Sequence, residues 1–314
     1  RAEAPLQAFA ERIDAPVVTT IHGRGLLHRH PLMVPASPSL KAARQLMADA
    51  DLVIAAGTEF GLTDYDMYAD GGFLLPRNLI RIDIDAAQLT RRPATVAIQA
   101  DTAMVLEALL TSPSIATAKQ GPGEARAAAT REAARAELDP AMLQRLSVLE
   151  TIRDTLPGAI VVGDSTQPVY AGNLFYDHDR PRGWFNSSMG FGTLGYGIPA
   201  AVGAALAVPD APVVSLSGDG GFQFTLPELG SAVEAGTPVI FVIWNNSGYR
   251  EIEESMLSVG VEPVGVSPAP PDFCRIAEAY GIAAERLDAA GDLAGALLRG
   301  RSTGKPYLIE MVVV

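Results

Sequence analysis

The segment 215–246, SLSGDGGFQFTLPELGSAVEAGTPVIFVIWNN, constrains the fold more than any other part of the chain. It opens in a β-rich run that ends at 218–220, continues with the apolar spacing of a helix, and returns as an apolar run, 239–244, that ends at Asn245 and Asn246. Strand, helix and strand in this order predict two neighbouring parallel strands. Their carboxyl ends then lie side by side at the crevice where α/β sheets bind ligands.

The polar residues at these two strand ends predict a metal site. Asp219 supplies a carboxylate oxygen and Asn246 an amide oxygen, and Mg²⁺ prefers oxygen ligands together with substrate phosphates. Gly220 and Gly221 let the main chain approach a phosphate at the start of the following helix. The pattern therefore predicts a magnesium–diphosphate site. The alternative is that GDGG and NNSG are only tight turns, but strand context, spacing and both polar ends agree on the site.

The motif GDGGFQFTLPEL followed by NN resembles the signature of thiamine-diphosphate-dependent enzymes of the acetolactate synthase and 2-oxo acid decarboxylase superfamily. The resemblance continues through 181–222 and, earlier, through 48–60 and 79–89, so it covers nearly the whole chain. Among the subfamilies, TQPVYAGN, GFGTLGYGIPAAVGA, WNNSGYREIEESML and VEPVGV look most like 5-guanidino-2-oxopentanoate decarboxylase.

This resemblance implies thiamine-diphosphate- and Mg²⁺-dependent decarboxylation of a 2-oxo acid, with 5-guanidino-2-oxopentanoate as the candidate substrate. Two alternatives remain open. One is an acetolactate synthase-like carboligase, and the other is a non-catalytic cofactor-binding module.

The resemblance also assigns roles to individual residues. Asp219, Asn246 and the main-chain carbonyl of Gly248 become the metal ligands. Leu194 becomes the side chain wedged between the two rings of the cofactor, and the carbonyl of Gly192 accepts a hydrogen bond from its aminopyrimidine. Further cofactor contacts are expected at the end of the strand 159–162 and around the two motif ends, from Ser165, Thr166, Gln167, Gly218, Gly220, Gly221 and Tyr249. Alternatively, Ser165 and Thr166 cap a helix, and Leu194 belongs to the core.

Three acidic residues follow the expected metal ligands Asn246 and Gly248, at Glu251, Glu253 and Glu254. A cluster of carboxylates would complement a cationic guanidinium group on the substrate. The competing interpretation is an acidic helix face in contact with solvent.

Strand and helix patterns alternate along the chain, which predicts an α/β protein with parallel sheets. We expect two doubly wound domains. A Rossmann-like central domain, lacking its first strand, occupies 1–110, and a thiamine-diphosphate-binding fold occupies 141–314. The intervening segment 111–140 has no apolar stripe and is predicted to be an interdomain linker, partly helical after Gly123.

The family's pyrimidine-binding domain, with its catalytic glutamate, has no counterpart in these residues by resemblance. We therefore expect the chain alone to bind only half of the cofactor and to be inactive. The resemblance further implies that the full-length protein is a homodimer or homotetramer acting on a small-molecule 2-oxo acid.

Composition excludes some functions. The formal net charge of −12 argues against a nucleic-acid partner and disfavours an anionic membrane. A single cysteine, Cys274, allows no intrachain disulfide and indicates a reducing compartment. No apolar run approaches the length of a membrane helix, and no secretory signal is visible. We therefore expect a cytoplasmic location.

Overall fold

The computed structural model describes residues 2–67, 70–117, 121–288 and 291–313. Its contacts divide into two compact units. The first runs to Asp139 and takes in Asn173–Asp177, and the second comprises Pro140–Gly172 and the residues from His178 onward.

The first unit contains two small parallel sheets and their helices. Its strands are β1 (Val17–Val18), β2 (Met33–Val34), β3 (Val53–Ala56), β4 (Leu79–Asp83) and β5 (Val96–Gln99). Its helices are α1 (Glu3–Ile13), α2 (Lys41–Ala48), α3 (Leu62–Tyr65), α4 (Ala86–Arg91), α5 (Thr102–Leu110), α6 (Pro113–Ala116) and α7 (Gly123–Ala136), with a 3₁₀ turn at Ile21–Gly23. β1 pairs with β2, and β4 lies between β3 and β5.

The segment 111–140 differs from the linker that the sequence predicts. Its described part is mostly helical, and up to Asp139 it groups with the first unit. α7 packs against α2 and β2 through the small buried side chains of Ala127, Thr130 and Ala134. These residues form a contact face without large apolar groups, so a search for an apolar stripe overlooks it.

The second unit is built on one parallel sheet of six strands. The strands are β6 (Ile160–Gly163), β7 (Trp184–Asn186), β8 (Val213–Gly218), β9 (Val239–Asn245), β10 (Ala283–Asp288) and β11 (Tyr307–Val312). The helices are α8 (Pro140–Thr155), α9 (Gln167–Leu174), α10 (Gly197–Ala207), α11 (Asp219–Phe222), α12 (Glu228–Ala235), α13 (Arg250–Ser258), α14 (Phe273–Ala279) and α15 (Leu293–Thr303), with a 3₁₀ turn at Gln223–Thr225.

The strand order β10-β11-β9-β8-β6-β7 explains why this sheet has a binding edge. The chain leaves β6 for β7 on one side and then returns to β8 on the other side. Such a reversal opens a crevice beyond the carboxyl ends of the strands that flank it. β8 and β9 are neighbours, with Gly218 beside Trp244, and both are buried along nearly their whole length. The predicted parallel α/β architecture is confirmed.

No helix in the ranges that the structure describes combines the length and the apolar character needed to cross a membrane.

Candidate functional site

The candidate site lies in the second unit, where the loops after β6, β8 and β9 meet. Asp219 is the first residue after β8, and Asn246 is the first residue after β9. The pairing of these two strands therefore brings together the two side chains that the sequence singles out. Asp219 is only 1% exposed, so its carboxylate is withdrawn from water.

The carboxylate of Asp219 is not fully satisfied by the protein. Within the described part of the chain, its Oδ2 is buried and has no hydrogen-bond partner. Burial raises the pKa of Asp219, while main-chain N–H groups of the loop, including those of Asn246 and Gly248, act in the opposite direction. A buried carboxylate oxygen without a partner is costly unless a proton or a cation compensates it.

Three polar groups converge at this point. The inward end of the Asn246 amide lies 3.2 Å from Oδ1 of Asp219 and 2.8 Å from the main-chain oxygen of Gly248. With the amide oxygen at that end, all three donors are oxygens. In an octahedron with Mg–O bonds of about 2.1 Å, adjacent ligand oxygens are about 3.0 Å apart. The spacing and the oxygen-only donor set therefore fit a small divalent cation.

The turn at position 248 requires a residue without a side chain. Its φ is 152°, and a β-carbon there would lie 2.6 Å from the carbonyl oxygen of Val266. The same carbonyl accepts a hydrogen bond of 2.8 Å from the N–H of Tyr249. The close approach of these two segments fixes the turn that presents the Gly248 carbonyl.

The two asparagines of the motif have different surroundings. The Nδ2 group of Asn245 donates to Oε1 of Glu310 at 2.7 Å, and its Oδ1 accepts from the N–H of Ser247 at 3.1 Å. Asn245 thus ties the turn to β11, where Glu310 is buried. Sequence reasoning did not identify this supporting pair, because Glu310 lies in a distant strand and only the sheet order brings it near.

Tyr249 and Leu194 lie on the glycines that follow Asp219. A β-carbon at Gly220 would overlap the ring of Tyr249. One at Gly221 would touch Leu194 Cδ2 at 3.4 Å. Gly220 is therefore required for the close approach of Tyr249, while Leu194 lies in ordinary contact distance of Gly221.

The loop after β6 supplies the remaining predicted residues. The Ser165 hydroxyl bonds to that of Ser187 at 2.9 Å and lies 3.5 Å from the carbonyl oxygen of Gly192. The hydroxyl oxygen of Thr166 would be 3.0 Å from a β-carbon at Gly218, so it faces the end of β8.

Asp164, which the sequence did not single out, precedes this loop and is fully buried. It accepts from the N–H groups of Ser165 at 2.7 Å and Gly197 at 3.1 Å. Burial raises the pKa of Asp164, and these main-chain bonds act against it. The sequence signal was its place directly after β6, and it joins that loop to the start of α10.

Gln167 contacts Asn246 directly, a contact that its predicted role did not include. Its Oε1 accepts from Nδ2 of Asn246 at 3.0 Å and from the indole N–H of Trp244 at 3.1 Å. Its Nε2 faces Oε1 of Glu254 at 3.4 Å. Gln167 therefore connects the loop after β6 to Asn246, which follows β9.

The three acids on α13 already face cations of the protein. Glu251 and Glu254 lie 3.6 and 3.7 Å from the guanidinium of Arg145, and Glu253 lies 2.5 Å from that of Arg250. This differs from a cluster held open for a guanidinium substrate. The sequence could not reveal it, because Arg145 belongs to α8, far away along the chain.

A second group of potential metal-binding side chains consists of Asp272, Cys274 and Glu310. Arg286 bridges its carboxylates, with nitrogen–oxygen distances of 2.9 Å to Asp272 and 2.8 Å to Glu310. Since a guanidinium already supplies the positive charge, these residues form an ion-pair network.

Comparisons with known proteins identify the family of the chain. Residues 1–109 match the family model described as the central domain of thiamine pyrophosphate enzymes, and residues 164–311 match that of their C-terminal TPP binding domain. The chain is 37% identical over 310 residues to the probable 2-ketoarginine decarboxylase AruI of Pseudomonas aeruginosa, covering 98% of this chain and 55% of that protein.

The chain is also similar to a second curated protein and to a solved structure. The large subunit of acetolactate synthase isozyme 3 from Escherichia coli is 31% identical over 290 residues, which cover 88% of this chain and 50% of that subunit. The solved structure of a thiamine diphosphate-dependent 4-hydroxybenzoylformate decarboxylase from Rhodococcus jostii superposes with a TM-score of 0.75 at 26% identity, over 100% of this chain and 59% of that one. The chain spans about half the length of the curated relatives it matches.

Proposed function

The chain belongs to the thiamine pyrophosphate enzymes, and from that membership we propose that its second unit binds the diphosphate of thiamine diphosphate through Mg²⁺ and serves the decarboxylation of a 2-oxo acid. The proposed metal ligands are Asp219, Asn246 and the main-chain carbonyl of Gly248. The observation that carries the proposal is the convergence of these three groups beside Oδ2 of Asp219, which has no hydrogen-bond partner among the residues that the structure describes. When bound, thiamine diphosphate supplies the electron sink for loss of CO₂.

The remaining site residues receive positioning roles under this proposal. Leu194, half-buried beside Gly221, would supply the apolar side chain between the two rings of the cofactor and so hold its bent conformation. The carbonyl of Gly192, on an exposed loop, would accept a hydrogen bond from the aminopyrimidine. Ser165 and Thr166 offer hydroxyl groups to the diphosphate from the end of β6. The diphosphate would lie close to the main chain at Gly218, Gly220 and Gly221. Tyr249 would lie beside it.

The proposed substrate is 5-guanidino-2-oxopentanoate, which is 2-ketoarginine. Its support is the similarity to the probable 2-ketoarginine decarboxylase. The acids of α13 add little to this support, because each of the three already lies beside the guanidinium of Arg145 or Arg250. The similarity to acetolactate synthase favours a second candidate, a carboligase that joins two 2-oxo acids.

Product analysis of the natural full-length protein separates the two candidates. With Mg²⁺ and thiamine diphosphate, a 2-ketoarginine decarboxylase releases CO₂ and the corresponding aldehyde, and it makes no acetolactate from pyruvate. Acetolactate formation from pyruvate would favour the carboligase.

A cofactor-binding assay separates both enzymes from a chain that has lost the cofactor site. Ligand at about 100 times its dissociation constant raises stability by about 2.7 kcal/mol. If the melting temperature of the full-length protein does not respond to Mg²⁺ and thiamine diphosphate together, the proposed function is wrong.

We further propose a cytoplasmic location and a homodimer or homotetramer for the full-length protein. The single cysteine supports the first, since it fits a reducing compartment. Membership of the family supports the second. Sedimentation of the natural protein measures the oligomeric state directly.

A further inference from the structure

We propose that Gln167 is a positioning residue that sets the orientation of the Asn246 amide, so that oxygen rather than nitrogen faces Asp219 and Gly248. This inference rests on the proposed function, because it concerns the metal ligands assigned there. It assigns to Gln167 a task distinct from direct contact with the cofactor.

The orientation of this amide decides whether a cation can bind. With nitrogen turned inward, Asn246 would donate to Oδ1 of Asp219 at 3.2 Å and to the oxygen of Gly248 at 2.8 Å. Two good acceptors therefore favour the inward nitrogen whenever no metal is present. That arrangement places N–H groups where a cation needs an oxygen. Cation binding therefore requires neighbouring groups that favour the opposite orientation of the amide.

The indole of Trp244 disfavours the inward-nitrogen orientation of Asn246, and it does so by orienting Gln167. An indole N–H only donates, so the atom of Gln167 that lies 3.1 Å from it must be the amide oxygen. A carboxylate only accepts when it is ionised, so Glu254 selects the amide nitrogen at the other end of Gln167, 3.4 Å away. Both neighbours thus specify the same orientation of Gln167.

The fixed oxygen of Gln167 then specifies Asn246. It lies 3.0 Å from the outward end of the Asn246 amide, where only an N–H group can meet it. Turning Asn246 over would press two oxygens together. Gln167 is 6% exposed and Trp244 is 5% exposed, so little water is available to relieve that clash.

The charge on Glu254 is itself held in place. The guanidinium of Arg145 lies 3.7 Å from Glu254. The contacts therefore run from Arg145 through Glu254 and Gln167 to Asn246. The indole N–H of Trp244 determines which end of the Gln167 amide is the oxygen. Groups of this kind behind metal ligands change metal affinity by about 10–100-fold when they are mutated.

The test is a titration of the protein with Mn²⁺ alone, followed by the electron paramagnetic resonance signal of the free ion, with the melting temperature recorded for each variant. Gln167→Met keeps the length of the side chain and removes the acceptor. We expect it to weaken Mn²⁺ binding by about 10–100-fold. Trp244→Phe removes only the donor and is expected to weaken binding less, because Glu254 still orients Gln167.

Gln167→Glu distinguishes positioning from simple packing. Its carboxylate still accepts from Trp244 and Asn246, so Mn²⁺ affinity should stay closer to the parent than to Gln167→Met. Its repulsion of Glu254 should nevertheless make it the less stable variant. The matched control is Gln144→Met, the same change at another glutamine near Trp244, which should leave the affinity unchanged.

Each result bears on a different statement. If Gln167→Met binds Mn²⁺ as tightly as the parent, or Gln167→Glu loses as much affinity as Gln167→Met, the positioning role is wrong. Asp219→Asn reports on the proposed function separately. If it binds Mn²⁺ like the parent, the metal-site assignment itself is wrong, whatever Gln167 does.

Discussion

The inward end of the Asn246 amide lies 3.2 Å from Oδ1 of Asp219, although the two residues follow different strands. The parallel pairing of β8 with β9 makes this possible, because it places both carboxyl ends at the same edge of the sheet. With the amide oxygen at that end, the two oxygens repel each other unless a cation lies between them. The arrangement therefore fits the proposed metal site, and changes of charge and geometry around it test that proposal.

Changing Asn246 to aspartate should make the protein depend more strongly on Mg²⁺. Two carboxylates would then face each other in a buried loop, which we expect to destabilise the metal-free protein by about 1–3 kcal/mol. Mg²⁺ would bridge them, so the rise in melting temperature on adding Mg²⁺ should exceed that of the parent. Thermal unfolding in EDTA and in excess Mg²⁺ measures both effects.

Asn245→Asp is the matched control for that experiment. Asn245 donates to Glu310 at 2.7 Å, so an aspartate at this position would face the carboxylate of Glu310 rather than Asp219. Its destabilisation should be the same with and without Mg²⁺. If Mg²⁺ rescues Asn245→Asp as well as Asn246→Asp, the distinction drawn between the two asparagines fails.

Gly248→Ala should distort the turn that supplies the main-chain ligand. Its φ of 152° disfavours a side chain, and the added β-carbon would lie 2.6 Å from the Val266 carbonyl. We expect a loss of about 1–3 kcal/mol in unfolding free energy, together with weaker Mg²⁺ binding measured by calorimetry.

Gly203→Ala is its control, since Gly203 lies inside α10 with open space at the β-carbon position. That change should stabilise the helix by about 0.5–1 kcal/mol and leave Mg²⁺ binding unchanged. Equal effects at the two glycines would contradict the account of the turn.

Cys274 should be a poor nucleophile. Burial, and secondarily the nearby Glu310, raise the pKa of its thiol to about 11. Since a free thiol has a pKa of about 8.5, the thiolate fraction at pH 8 is lower by about two orders of magnitude. Alkylation by iodoacetamide, followed by mass spectrometry, should be correspondingly slow in the folded protein and fast in urea. Rapid alkylation of the folded protein at pH 8 would contradict the assignment of Cys274 to an inert ion-pair network.

Glu285 should contribute to stability in a pH-dependent way. Hydrogen bonds from Arg299 lower the pKa of Glu285 below its ordinary value of 4.5. A carboxyl group whose pKa is lowered on folding stabilises the protein above 4.5, and that contribution is lost as the pH falls through the folded-state pKa. Because Arg299 is half-exposed and solvent screens its charge, we expect only a small contribution to stability from the pair.

Glu285→Gln should therefore lower the melting temperature at pH 7 and have a smaller effect as the pH falls below 4.5. Glu278→Gln, at an exposed position on α14, should change little at either pH. An effect of Glu285→Gln that does not diminish at low pH would contradict the electrostatic explanation.

The sequence predicted the features that depend on local patterns. β8 and β9 read as apolar runs because both are buried on both faces, and their polar ends marked the site. Long-range pairs were beyond local patterns. The partners of Gln167 lie on β9 and α13, and Arg145 reaches α13 from α8, so only the assembled sheet shows these contacts. Short elements such as β2 and β7 carry too few residues to show a period. The helix predicted after Gly123 is present as α7, but its small side chains hid the face through which it packs.

The most direct measurement of the central claim is the anomalous scattering of Mn²⁺ in crystals of the protein grown with thiamine diphosphate. The account predicts one peak at about 2.0–2.3 Å from a carboxylate oxygen of Asp219, the amide oxygen of Asn246 and the carbonyl oxygen of Gly248. The same ion should touch the diphosphate. A diphosphate bound without a metal on Asp219, or a Mn²⁺ peak at other residues only, would contradict it.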